Sequence, residues 1–362
     1  MANPTTAPLC EAVERALRWE RVAPVPFTIY ESKIPQCRAE RALRNRGMCI
    51  VKRDVPVFKV RRPHVTVTQH TYWVGERPFV RTLYETPAGA LTTLDEPVGF
   101  TTWHHEKMFK GPDDYRALLA YIQDAEYEPD YGPLTQAAAA WGDDAIFRAS
   151  FGLEPLQMLI SSTLMGMQDF CLEWMDRRDE VLRLYEAIVA SKRQLYPFVA
   201  ASPVGHANYG GNVVPEVIGR DAFARYYLPH YAEAAEIMHR HGKLIGCHLD
   251  GNDRLIADLV ARAPLDYIEA FTPAPDTDMT LAEARAAWPD KVLWLNYPSS
   301  VHLRSDAEVQ ETTVRLLDEL ASCRGVIMGI TEDVPEHRWR ASCWAIMEGL
   351  ERHARQRPEA YR

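Results

Sequence analysis

From residue 112 onward the chain alternates between amphipathic helical patterns and short apolar runs, and this rhythm constrains the fold more than any other feature. GPDDYRALLAYIQD opens with Asp at a helix start and carries apolar residues at helical spacing. AIFRASFG reads as a strand, DEVLRLYEAIVASKRQLY as a helix and YPFVAASPVG as a strand. GRDAFARYYLPHYAEAAEIMHRHG reads as one long helix with Gly242 as its cap. KLIGCHLDG, PLDYIEAFTP, KVLWLNYP and RGVIMGIT follow as strands, separated by NDRLIADLVARA, LAEARAAW and DAEVQETTVRLLDELAS, and EHRWRASCWAIMEGLERHARQ closes as a helix. Strict alternation with short connections predicts a parallel sheet covered by helices. With VPFTIYES near the N-terminus, about seven strands belong to this rhythm. A doubly wound sheet would carry a glycine-rich phosphate turn, and neither GxGxxG nor GxxxxGKS occurs. The expected fold is an α/β (β/α)8 TIM-type barrel.

The expected organisation is a single barrel domain over residues 1–362, with the main repeat at 101–355. Residues 50–100 break the rhythm. They are rich in Val, Thr, Tyr and Phe, and HVTVTQHTYWV and PFVRTLYETPAGALTTL alternate as strands do, with turns at Gly75 and Gly89. This is an N-terminal β-rich excursion. Residues 11–20 and 38–46 read as short helices, and KRDVPVFKVRR reads as a solvated basic edge.

Composition narrows the function classes. A formal net charge of −9 lacks the basic footprint of nucleic-acid binding. No apolar run reaches the length of a membrane span, and the N-terminus has no basic region followed by an apolar core. The seven cysteines are scattered, with no CxxC, so a disulfide framework is not expected and a cytoplasmic location is.

In a (β/α)8 barrel the active site sits at the carboxyl ends of the strands. LIGCHLDG ends in His248 and Asp250, which share a face, while Cys247 and Leu249 share the other. Glu269 lies near the end of the next strand, Asn296 ends the one after, and Glu332 and Asp333 end the last. Histidine with carboxylates suits a divalent metal, zinc included. The same set also suits a general acid or a substrate-binding site. Glu31 and Lys33 follow the first strand, either at the mouth or as a surface ion pair. His206, Asn208 and Tyr209 lie in the glycine-rich GHANYGGN, expected to be a loop that contacts ligand or acts as a lid. Tyr30, Tyr209, Phe271, Trp294 and Tyr297 form either an apolar pocket or ordinary barrel packing, and His104 and His105 read as surface residues.

The run GRDAFARYYLPHYAEAAEIMHRHGKLIGCHLDGNDRLIADLVARAPLDYIEAF resembles the core of the uroporphyrinogen decarboxylase superfamily. WHHEKMFKGPDDYRAL and YETPAGALTT are similar to segments of its corrinoid and coenzyme methyltransferase branch. The resemblance covers roughly residues 80–350 and implies a (β/α)8 barrel. The decarboxylases of that superfamily carry an arginine-rich N-terminal segment, where this chain has TIYESKIPQCRAER. The methyltransferases bind zinc through His-x-Cys and a distant Cys. Here the resemblance places His248 and Asp250 at the pair, Glu332 at the distant position and Glu269 between them.

The resemblance thus implies a methyltransferase with metal ligands His248, Asp250, Glu332 and, as a fourth, Glu269. Glu31, Asn208, Tyr209 and Asn296 would bind substrate. Carboxylates in place of thiolates make a harder Lewis acid, suited to an ether or amine. O-demethylation of a small methoxy substrate would then pass the methyl group to a corrinoid on a partner protein. A metal-free decarboxylase or lyase is the alternative, marked by arginines facing the mouth. A non-catalytic corrinoid or tetrapyrrole binder is a third reading. No nucleic-acid or membrane partner is expected, and a homodimer is left open.

Overall fold

A computed structural model describes residues 9–53, 55–99, 101–161 and 163–362. The chain divides into two compact units. The first comprises residues 1–56, 131–150 and 202–362, and the second comprises residues 57–130 and 151–201.

The first unit is the barrel. Its strands are β1 (Phe27–Tyr30), β2 (Met48–Lys52), β3 (Ala145–Phe147 continuing as Ala149–Ser150), β4 (His206–Tyr209), β5 (Leu244–His248), β6 (Tyr267–Phe271), β7 (Val292–Asn296) and β8 (Val326–Ile330). All neighbouring pairs run parallel. Closure falls to β3. Its first half pairs with β2 through Ala145, Ile146 and Phe147, and its second half pairs with β4 through Ala149 and Ser150. Arg148 alone separates the halves, and its backbone N–H donates to Lys52 O at 3.0 Å.

The interior is filled by large side chains facing small ones. Trp294 and Tyr267 are fully buried inside the ring. Tyr267 donates to Ala207 O at 2.7 Å, and Trp294 Nε1 donates to Thr28 Oγ1 at 2.9 Å. Gly246 and Gly329 leave the room: a Cβ on Gly246 would enter the Tyr267 ring, and one on Gly329 would lie 2.6 Å from Leu295 O. A packed interior sends the polar strand ends to the rim.

The structure corrects several sequence readings. YPFVAASPVG is not a strand: Tyr196–Ala201 is helical, with Pro197 in the first turn, where its missing N–H costs nothing. A short buried apolar run does not separate helix from strand. The barrel strand lies just beyond, at His206–Tyr209, so part of the expected glycine-rich loop is β4 itself. The long helix over 219–242 is two helices, Pro215–Tyr226 and Leu228–Arg240, because Pro229 opens a new first turn. Gly242 caps the second helix at φ +65°, as expected. MCIVK, placed partly in the excursion, is the barrel strand β2.

The second unit holds the β-rich excursion, which reaches beyond residue 100. A four-stranded antiparallel sheet joins Thr66–Val74, Arg77–Thr86, Gly89–Val98 and Thr101–Glu106 in that order. Phe58–Arg61 pairs with Glu126–Pro129 in a two-stranded ladder. The unit also holds the helices Tyr115–Gln123, Pro155–Ser161, Met167–Asp176, Arg178–Arg193 and Tyr196–Ala201. No helix among the described residues is long and apolar enough to cross a membrane.

Candidate active site

β5 delivers His248 and Asp250 to the carboxyl rim on one face, and Cys247 and Leu249 point away into full burial. Beneath the histidine sits Glu269 of β6, with no exposed surface. Its orientation has a local cause. The β6–β7 register shifts between Glu269 and Phe271, and Ala270 takes a left-handed φ of +62°. A bulge of this kind re-aims the neighbouring side chain, and here it turns Glu269 under His248.

Four side chains engage the Glu269 carboxylate. His248 Nδ1–H donates to Oε2 at 2.7 Å and Asn208 Nδ2 donates to the same oxygen at 2.9 Å. Tyr30 O–H donates to Oε1, and Arg148 Nη1 pairs with that oxygen at 3.1 Å. Arg148 Nη2 also donates to the Tyr30 hydroxyl at 3.3 Å. Burial alone would raise the Glu269 pKa, but the charges of Arg148 and His248 hold it well below the usual carboxylate range. Glu269 therefore stays ionised in the core. Burial also works against charge on Arg148, and Glu269 more than offsets it.

With Nδ1 committed to Glu269, His248 presents Nε2 to the rim. Asp250 Oδ2 lies 3.2 Å from it. Burial opposes protonation of this imidazole, yet the carboxylates of Glu269 and Asp250 push its pKa up to about 10. One donor atom each from His248, Asp250 and Glu332 lies within 4.8 Å of the others. No other such cluster of histidine, cysteine or carboxylate groups occurs among the described residues. Glu332 is the exposed member. Desolvation of its carboxyl end raises its pKa, and Lys33 draws it down. Lys33 itself pairs with Asp333 at 2.8 Å. One imidazole and two carboxylates, with the imidazole held by a buried carboxylate on its far nitrogen, fit a divalent cation.

The remaining predicted residues fall in different places. Asn208 is drawn beneath the site onto Glu269. Asn296 is buried and acts as a clip. Its Nδ2 donates to Thr272 Oγ1 at 3.1 Å, and its Oδ1 accepts from the backbone N–H groups of Thr331 at 2.9 Å and Glu332 at 3.4 Å. Thr272 Oγ1 in turn donates to Ala270 O at 3.1 Å. The clip thus ties the β6 bulge to the end of β8 that carries Glu332. Tyr209 points away from the mouth and packs on Tyr231 at 5.7 Å, because alternation along β4 gives His206 and Asn208 the inner face. Phe271 packs on Trp288, and Tyr297 donates to Val309 O at 2.8 Å, both on the helix side. Of the five aromatic residues singled out from the sequence, Tyr30 and Trp294 face inward. Glu31 follows β1 at the rim, half-buried. In the second unit, His104 pairs with Asp95 at 2.6 Å and His105 with Glu96 at 2.8 Å.

Sequence reasoning missed Arg148, Arg53 and the tyrosine hydroxyl. Arg148 had a signal: it is the one charged residue in the apolar strand AIFRASFG. Arg53, exposed at the end of β2, lies over the Tyr30 ring at 3.9 Å. His206, next to Arg148, is buried against Tyr267 and Trp294, and burial with the Arg148 charge pushes its pKa down to about 3. Asp253, in the turn after Asp250, is buried with neither oxygen hydrogen-bonded, and burial raises its pKa well above the usual range.

No protein-family model matches this chain, and no curated protein does. Among solved structures, the methyltransferase from Methanosarcina mazei superposes with a TM-score of 0.55 at 10% identity, covering 95% of this chain and 98% of that one. At that identity the likeness is one of fold. The tandem catalytic modules of the pneumococcal exo-β-D-N-acetylglucosaminidase StrH superpose at a TM-score of 0.38 and 8% identity, covering 91% and 84%.

Proposed function

We propose that the protein is a metal-dependent methyltransferase that removes a methyl group from a small methoxy substrate and passes it to a corrinoid carried on a partner protein. The observation that supports this reading is the convergence of His248, Asp250 and Glu332, with the far nitrogen of His248 held by buried Glu269. A divalent cation, zinc foremost, would be held by these three side chains and would supply Lewis acidity toward the ether oxygen. Glu269 acts through His248 rather than as a fourth ligand, because both its oxygens are already engaged. Asn296 positions Glu332 through its backbone.

A corrinoid on the partner protein would be the methyl acceptor and would supply the electron pair for the new bond, the ether oxygen keeping the pair of the bond that breaks. Tyr30, Arg148 and Asn208 keep Glu269 ionised and fixed, so the imidazole holds one orientation throughout. The aligned rim groups contribute positioning of the substrate against its acceptor.

A metal-free decarboxylase or lyase is the second reading, favoured by two arginines near Tyr30. Arg148 is already neutralised by Glu269, which leaves Arg53 alone for a substrate carboxylate. One experiment separates the two. Purified full-length protein is assayed for bound metal and for methyl transfer from a methoxybenzene to free cob(I)alamin, followed by absorbance. We expect about one equivalent of divalent metal, lost in His248→Ala and Asp250→Ala together with transfer. Less than about a tenth of an equivalent, with no activity gained on adding zinc, refutes the metal reading.

A further inference from the structure

The second unit carries an edge strand with none of the usual protections. Thr66–Val74 lies at the rim of the four-stranded sheet and is bonded on one side only, to Arg77–Thr86. That ladder runs from Thr66↔Glu85 to Val74↔Arg77 without a register shift. Natural sheets blunt such edges with lysine, other charges, proline or a bulge. TVTQHTYWV contains no Lys, Arg, Asp, Glu, Pro or Gly. The opposite edge, Thr101–Glu106, is managed in the usual way. Its pairing shifts register at Leu94/Asp95, and His104, His105 and Glu106 are tied to Asp95, Glu96 and Arg81.

Both faces of the unprotected strand are open. Val67 and Trp73 are 51% and 65% exposed on one face, and Val74 is 58% exposed on the other. Apolar side chains exposed on both faces of a strand whose outer backbone edge is free mark a surface that pairs.

The order of side chains points to the occupant. Antiparallel pairing of this strand with itself about a two-fold axis at His70 sets Val67 opposite Trp73, Thr66 opposite Val74, Thr68 opposite Tyr72 and Gln69 opposite Thr71. In the outer three of these pairs a valine, tryptophan or tyrosine meets a β-branched residue, the favourable kind of cross-strand pair. His70 meets His70 of the second copy at the axis, and no other acidic or basic residue of the strand faces its like. On the adjoining strand Arg77 bonds Glu96 and Arg81 bonds Glu106, each through two nitrogens, and Glu85 stands opposite Thr66 at the end of the seam. Nine residues give a seam of roughly 30 Å. The product is one continuous eight-stranded sheet.

We infer that Thr66–Val74 is a homodimer interface, in which a second copy of this chain adds its own Thr66–Val74 strand, antiparallel and centred on His70. The test uses the full-length protein and light scattering over a range of concentrations. We expect twice the mass of one chain. Gln69→Lys/Thr71→Lys places lysines opposite lysines and weakens dimerisation at least about tenfold. Gln69→Lys/Thr71→Glu places each lysine opposite a glutamate and restores the dimer, because residue 69 faces residue 71 of the second copy. Both positions are exposed, so unchanged circular dichroism and melting verify folding. A monomer at every concentration overturns the inference, as does a monomer that binds another protein through this strand. A dimer indifferent to Gln69→Lys/Thr71→Lys, or one lost equally in both variants, overturns it too.

Discussion

Glu269→Gln tests the electrostatic account of the site. The substitution keeps shape and removes charge. In the native chain the carboxylate accepts from Tyr30, His248 and Asn208 and neutralises Arg148 at 3.1 Å. Arg148 is 4% exposed, so without Glu269 its guanidinium becomes a buried cation with no counter-charge. Removing one partner of a buried ion pair costs about 3–5 kcal/mol. The new amide also turns an NH2 toward groups that are all donors, which adds to the loss. A domain's whole stability is about 5–15 kcal/mol, so the loss is a large fraction of it. The assay is urea unfolding followed by tryptophan fluorescence, with the midpoint expected to fall at unchanged slope. Arg148→Met combined with Glu269→Gln removes the orphaned charge and should recover at least about half of the loss. A single-variant loss below about 1 kcal/mol, or a double variant no more stable than the single, refutes the reasoning.

Other substitutions probe separate parts of the argument. Burial of Lys192 in the second unit pushes its pKa down to about 7, against the pull of Glu154. Above that pH the unfolded chain holds a proton that the folded chain lacks, so this group makes stability rise by about 1.4 kcal/mol per pH unit toward the ordinary lysine pKa of about 10.4. Lys192→Met should lack that rise, and parallel pH profiles for the two proteins would contradict the depressed pKa. Ala270→Gly should raise the melting temperature, since a left-handed φ costs a residue with a Cβ about 1 kcal/mol; a drop would mean the Ala270 methyl packs well enough to outweigh that. Gly246→Ala forces a methyl into the Tyr267 ring and should cost about 1–3 kcal/mol in chemical denaturation, with no loss meaning that the barrel interior has slack. Asn296→Ala should weaken divalent-metal affinity by about 10–100-fold in equilibrium titration, and unchanged affinity would remove Asn296 from the positioning of Glu332.

The barrel was legible because its signals are local. Period-two strands ending in polar residues, separated by amphipathic helices, place His248, Asp250 and Glu332 at one rim without any knowledge of distances. What stayed hidden depends on which strand lies beside which. β3 and β6 are far apart in the chain and not adjacent in the barrel, yet Arg148 reaches Glu269 across the interior. The bulge at Ala270 left no mark either, since alanine announces nothing about φ. Tyr209 was misplaced for a one-residue reason: the start of β4 at His206 decides which side chains face inward, and a run expected to be a loop carries no such phase. The insertion's extent was hidden because residues 151–201 are helical and continue the sequence rhythm while belonging to the second unit.

The closure of the barrel and the charge of the site come from the same residue. Arg148 sits at the break where β3 passes from pairing with β2 to pairing with β4, and its side chain enters the interior there. It cancels Glu269, which leaves Glu269 free to orient His248 without adding charge to the rim. Asp250 and Glu332 are then the acidic members of the rim cluster, and the nearby Lys33 is paired with Asp333. Without a metal, His248 is the cation of this set, its pKa pushed up to about 10 by Glu269 and Asp250. A divalent cation bound at Nε2 would take the place of that proton, while Nδ1–H stays on Glu269. The two carboxylates at the rim are thus balanced at one nitrogen, by a proton or by the metal that displaces it.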